Sequence, residues 1–107
     1  MKRRVAGSGG RINQEAIHGL AEAFARLEEP NQVAAFLQDL CTPAELEALT
    51  DRWRVVPLLL QGVPYREIHD RTSVSVTTIG RVARTLDQGA GGYAAALDPT
   101  DRTNRSD

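Results

Sequence analysis

Apolar residues recur along this chain at steps of three and four, with no sustained one-for-one alternation, so the pattern predicts helices and no strands. Asn13 can cap a first helix that puts Ile17, Leu20, Phe24 and Leu27 on one face. Pro30 is expected to break it, and Asn31 to restart a short helix presenting Val33, Phe36, Leu37 and Leu40. The result is an apolar hairpin with an acidic outside, which needs cover from later helices or from a partner chain. Thr42-Pro43-Ala44-Glu45 is a strong helix start: threonine caps, proline suits the first helical position, and glutamate reaches back to the cap amide. That helix should run through Leu46, Leu49, Trp53, Val56 and Leu60 to a stop at Gly62, with a kink or break at Pro57. Leu58, Leu59 and Leu60 are apolar all round, which suggests burial on more than one side, as at a dimer core.

Pro64 can begin another helix running to about Thr72, and Ser75 can cap the next, running to about Asp87. The cluster Gln88–Gly92 ends it, and Tyr93–Leu97 fits one last short turn of helix. The predicted fold is all-α with about six helices. Ile68, Val74, Ile79 and Val82 fall where two short helices must be welded across a tight turn, so residues 64–87 read as a helix-turn-helix. Two residues are unusual for that motif. Ser73 stands at a turn position that tends to need positive φ, and Gly80 lies inside the second helix; each is expected to cost about 1 kcal/mol.

At 107 residues the chain reads as a helical domain over 13–97, preceded by a flexible basic arm (1–12) and followed by a disordered tail (98–107). A domain of that size buries only about 60–65% of its unfolded surface, a margin that dimerisation would widen. A composition of 41% hydrophobic and 25% charged residues is ordinary for a soluble globular protein, and no apolar run approaches the ~18 residues of a membrane span. The single Cys41 excludes an internal disulfide, fits a reducing cytoplasm, and is expected to be a small buried apolar group.

The net charge of −1 hides a segregation of sign. Residues 1–11 carry +4, residues 15–51 carry −7, residues 52–86 carry +4 and the tail −2. A basic segment coinciding with the helix-turn-helix is the footprint of a nucleic-acid binder, because binding answers to the local field. In such a motif the second helix enters the major groove of double-stranded DNA. Its exposed positions here are Ser75, Val76, Thr77, Gly80, Arg81 and Arg84, supplying hydroxyls, a methyl contact for thymine, and two guanidinium groups. Arg66 and Arg71, near the two ends of the first helix, are candidate phosphate contacts. Enzyme chemistry has no foothold: His18 and His69 are isolated, Cys41 has no assigned base, and no carboxylate or metal-ligand cluster has usable spacing.

The run L-C-T-P-A-E-L-E-A-L-T-D-R-W-R-V-V-P-L-L-L-Q-G, followed by Y-R-E-I and V-x-R-V-x-R-x-L-x-x-G-x-G-G-Y, resembles the Trp repressor superfamily. The YerC/YecD-like branch is the nearer likeness, over about residues 13–97. The resemblance implies an intertwined, all-helical homodimer whose two reading heads meet successive major grooves of a palindromic site about 34 Å apart. It also implies an effector position at Thr42, Arg52, Thr78 and Arg81, with Arg52 and Arg81 flanking a ligand plane and Arg81 holding a carboxylate. Val82 stands where the tryptophan-binding protein has glycine, and the loop between Gly62 and Tyr65 is one residue shorter. An isopropyl group there intrudes on the space of an indole, so the expectation is no cofactor, or a small effector other than tryptophan.

The expected function is that of a cytoplasmic, DNA-binding transcriptional regulator, acting as a repressor by occlusion. Two alternatives stay open on the residues alone. One is a sigma-factor or response-regulator DNA-binding region, whose L-T-x-x-E starts look similar. The other is a protein-interaction scaffold with a degenerate helix-turn-helix.

Overall fold

The computed structural model describes residues 13–97; the expected arm (1–12) and tail (98–107) lie outside the described residues. Six helices follow one another: α1 (Gln14–Ala25), α2 (Pro30–Leu40), α3 (Pro43–Leu60), α4 (Tyr65–Thr72), α5 (Val76–Gln88) and α6 (Gly92–Ala96). There is no strand among the described residues. The chain divides into two compact units, the first ending at Cys41 and the second beginning at Thr42.

The first unit holds α1 and α2. Asn13 caps α1 as expected, its Oδ1 accepting from the amides of Glu15 (2.8 Å) and Ala16 (3.2 Å). The break before α2 comes earlier than Pro30, because α1 already ends at Ala25. Pro30 opens α2 rather than interrupting α1, since a first helical residue needs no amide donor and proline's fixed φ is already helical. The Gln32 side chain reaches back to accept from the Glu28 and Glu29 amides at 3.0 and 3.2 Å, fixing that start. Phe24 and Phe36 meet edge to face, ring centroids 5.1 Å apart, and hold the hairpin together. Cys41 is free and half-buried, not fully buried as its composition suggested.

The second unit contains the core. Thr42 and Glu45 form the reciprocal cap read from sequence: the Thr42 hydroxyl accepts from the Glu45 amide at 3.1 Å, and the Glu45 carboxylate accepts from the Thr42 amide at 2.8 Å. From there α3 continues through Pro57 without a break. The fully buried Val55 and Val56 anchor that stretch, so the hydrogen bond that proline denies the Trp53 carbonyl does not end the helix. The end comes at Gly62, whose φ of +81° costs glycine nothing. There Val63 N–H donates to the Leu58 carbonyl (3.1 Å) and Gly62 N–H to the Leu59 carbonyl (3.0 Å), a Schellman closure.

α3, α4 and α5 pack against one another in pairs. Between them lie Val55, Val56, Ile68, Val74, Ile79 and Val82, joined by Leu97 from beyond α6. Leu58, Leu59 and Leu60 are half-buried and pack on this cluster, so the leucine run serves its own unit's core at least in part. α6 is tied back by stacking of Tyr93 on Trp53, centroids 6.3 Å apart, and by burial of Leu97.

Ser73 adopts the left-handed conformation foreseen for it, with φ of 68°, and it is the one non-glycine residue with positive φ among those described. Its side chain is exposed. Ser73→Gly therefore removes a backbone penalty and loses no packing: urea unfolding should show a gain of about 1 kcal/mol.

Candidate nucleic-acid interface

The reading head is built from a short α4, a three-residue turn (Ser73, Val74 and Ser75) and a longer α5. Ile68 on α4, Val74 in the turn, and Ile79 and Val82 on α5 are all buried. Residues three apart share one side of a helix, so burying Ile79 and Val82 sets the opposite side of α5 toward solvent. Thr77, Arg81 and Arg84 are exposed there, as expected, and Val76, three residues before Ile79 and so nearer the buried side, is exposed at the start of the helix. Gly80 is a correction to that face: it is half-buried, because the Tyr65 ring and the Arg84 guanidinium both come within 4 Å of the place its side chain would occupy.

The turn is held by side chains that periodicity does not reveal. The Thr72 hydroxyl donates to the Ile68 carbonyl at 2.7 Å and accepts from the Val74 amide at 3.0 Å. His69 Nδ1 lies 2.8 Å from the Val74 carbonyl oxygen. A carbonyl can only accept, so Nδ1 carries the proton. His69, which looked isolated in the sequence, thus bridges α4 to the start of the turn five residues on. The sequence offered a signal for Thr72, whose type favours back-bonding at a helix end, and none for His69.

Ser75 is exposed, and its hydroxyl is engaged locally: it accepts from the Thr78 amide and donates to the Thr78 hydroxyl, both at 3.1 Å. Thr78 is half-buried. Of the two arginines expected on α4, Arg71 donates through Nε (3.2 Å) and Nη2 to the Glu67 carboxylate one turn earlier. Arg66 is exposed, as are Arg81 and Arg84, and none of the three makes an ion pair among the described residues. Arg66 also lines an open groove of about 630 Å³ with Tyr65, His69, Asp70 and Val76. Uncompensated positive charge therefore stands on both helices of the motif.

The four residues matched to an effector position are placed less uniformly. The Thr42 hydroxyl is engaged in the α3 cap, Arg52 and Thr78 are half-buried, and Arg81 is exposed. Val82 is 1% exposed and belongs to the same cluster as Val55 and Val56 of α3. Among the described residues no group of histidine, cysteine and carboxylate side chains could hold a metal ion, and no helix is long and apolar enough to cross a membrane.

Known proteins share this architecture. The family model described as "Trp repressor protein" matches residues 15–101. "Uncharacterized protein YerC" of Bacillus subtilis is 31% identical over 93 residues, covering 87% of this chain and 89% of its own. The solved structure "Crystal structure of a putative Trp repressor from Staphylococcus aureus" superposes with a TM-score of 0.73 at 30% identity, over 98% of each chain.

Gly80 offers a check on the packing described above. A Cβ there would sit 3.7 Å from Arg84 Nη1 and 3.8 Å from Tyr65 Cε2, ordinary contact distances. Gly80→Ala should therefore fit without displacing either side chain and raise stability by about 1 kcal/mol through helix propensity, measured by chemical denaturation.

Proposed function

The chain belongs to the Trp repressor family, and we propose that it is a sequence-specific DNA-binding transcriptional regulator that reads a palindromic operator as a homodimer. The observation that carries this reading is the division of α5: Ile79 and Val82 are sealed into the core, while Arg81 and Arg84 stand exposed and without ion pairs among the described residues. On this reading α5 lies in the major groove. Val76 and Thr77 meet base edges in its first turn, beside the capping Ser75 and the close-packed Gly80, and Arg81 and Arg84 supply charge-assisted contacts. Arg66 holds a phosphate from α4, and Arg71 contributes one only by sharing itself with Glu67.

The homodimer is supported by apolar side chains left on the surface. Ile17, Leu20 and Leu40 in the first unit, and Leu49 and Trp53 on α3, are each about two-fifths or more exposed. Covering them with a second copy removes that surface from water and pairs two reading heads about one helical turn apart on the duplex. Occlusion of a promoter by such a dimer makes repression the expected sign, and the site of action is the cytoplasm. Tryptophan is not the expected effector, because Val82 occupies the core where an indole would need room; Thr42, Arg52, Thr78 and Arg81 remain the positions to test for another small ligand.

Duplex binding separates this reading from a protein-interaction scaffold. Affinity for DNA should fall steeply with salt, its logarithm dropping by roughly 0.9 per phosphate contact for each tenfold rise. A scaffold would show no such affinity. Arg84→Ala should cost about 1–3 kcal/mol of operator binding in a mobility-shift titration, and an unchanged constant would take Arg84 off the reading face.

A further inference from the structure

The groove beside α4 extends past the phosphate contact assigned to Arg66, and apart from the Asp70 carboxylate its polar groups can donate to an anion. It is lined by Tyr65, Arg66, His69 and Asp70, which share one side of α4, and by Val76 at the start of α5. Tyr65 and Val76 are 42% and 49% exposed, and Arg66 and His69 are exposed as well. The Arg66 guanidinium makes no ion pair among the described residues, the Tyr65 phenol can also donate, and both line the groove together with Val76 of the first turn of α5.

His69 adds a condition. Its Nδ1–H is committed to the Val74 carbonyl at 2.8 Å, the bond that holds the turn. With that proton fixed on Nδ1, Nε2 of the neutral ring is a bare lone pair, an acceptor that repels a phosphate oxygen. Only the imidazolium has an Nε2–H to donate, and it does so without giving up the turn. The groups that share the groove with the ring are Arg66, Asp70 and the Tyr65 phenol on its own helix, and the uncharged Val76 on α5; Glu67 and Arg71, also on α4, are paired with each other. No α3 side chain lines the groove. A phosphate drawn in by Arg66 would meet an Nε2–H donor only on the imidazolium.

Resting on the DNA-binding reading, we propose that this groove seats a backbone phosphodiester of the duplex, and that His69 joins the contact only as its imidazolium. DNA binding then takes up a proton at His69, and affinity rises as pH falls. Binding breaks and forms no covalent bond; the proton comes from solvent and resides on Nε2.

The test uses the full chain and a random-sequence 30-base-pair duplex, because a phosphate contact is indifferent to base order. Fluorescence anisotropy at fixed salt, from about pH 5.5 to pH 8, should show wild-type affinity falling roughly fivefold to tenfold more than that of His69→Gln. Glutamine can still donate an N–H toward the Val74 carbonyl but cannot take the charge. His18→Gln, at the other histidine, should track the wild type. The salt slope of the wild type should be steeper at the acid end, by about 0.9 per protomer, and that of His69→Gln should not change. Calorimetry of the wild type and His18→Gln in two buffers of different ionisation enthalpy, at about pH 6.5 where a terminal amine is already protonated, should record proton uptake on binding in both. Parallel pH profiles for wild type and His69→Gln, or no proton uptake by folded His18→Gln, overturn the proposal and leave DNA binding standing. Failure of the wild type to bind this duplex at any pH removes the DNA-binding reading itself.

Discussion

The buried contact of α5 with α3 and α4 is the constraint on which everything else in the second unit depends. A helix cannot bury one side without committing the other, so the seating of Ile79 and Val82 against Val55, Val56 and Ile68 decides where Arg81 and Arg84 go. Each of those branched side chains contributes about 1.5–3 kcal/mol by leaving water. A surface ion pair is typically worth about 1 kcal/mol or less, and a side-chain cap about 1 kcal/mol. The cationic side of α5 is thus oriented by hydrophobic forces acting on residues that never meet a ligand.

Polar groups have the complementary task of closing the turn without disturbing that seating. Four backbone groups near the α4–α5 junction find partners through Thr72, His69 and Ser75, all within seven residues of one another. Two of these side chains also limit chemistry elsewhere. The Ser75 hydroxyl, engaged on Thr78, is less available to a base than its exposure suggests, and His69 is held in one tautomer. The turn and the binding face are in this sense one hydrogen-bonded network.

Much of this was legible in the sequence because helical periodicity and caps are local. Asn13, Thr42 and Ser75 announce their helices, and all three side chains cap as their types demand. The positive φ at Ser73 followed from motif geometry alone. What periodicity could not see was contact between elements. Pro30 reads as a stop but serves as a start; Pro57 reads as a break, yet buried valines carry the helix through it. Gly80 counts as surface on a helical wheel, and only the approach of Tyr65 from α4 closes it in. The candidate site divides the same way: the exposed arginines were plain from their offset to Ile79 and Val82, whereas the link from His69 to Val74 depends on a turn's path.

The seventh member of the core lies well outside the helix-turn-helix. Leu97, 6% exposed, follows a five-residue helix and a glycine-rich link, yet it packs in the same cluster as Ile68 and Ile79. A fragment cut out at 64–87 would leave Val55, Val56 and Leu97 behind and with them the floor under α5. The smallest portable module in this chain is consequently the whole stretch from the Thr42 cap to Leu97, and grafting the two-helix motif alone onto another scaffold would carry the letters of the reading head without its posture.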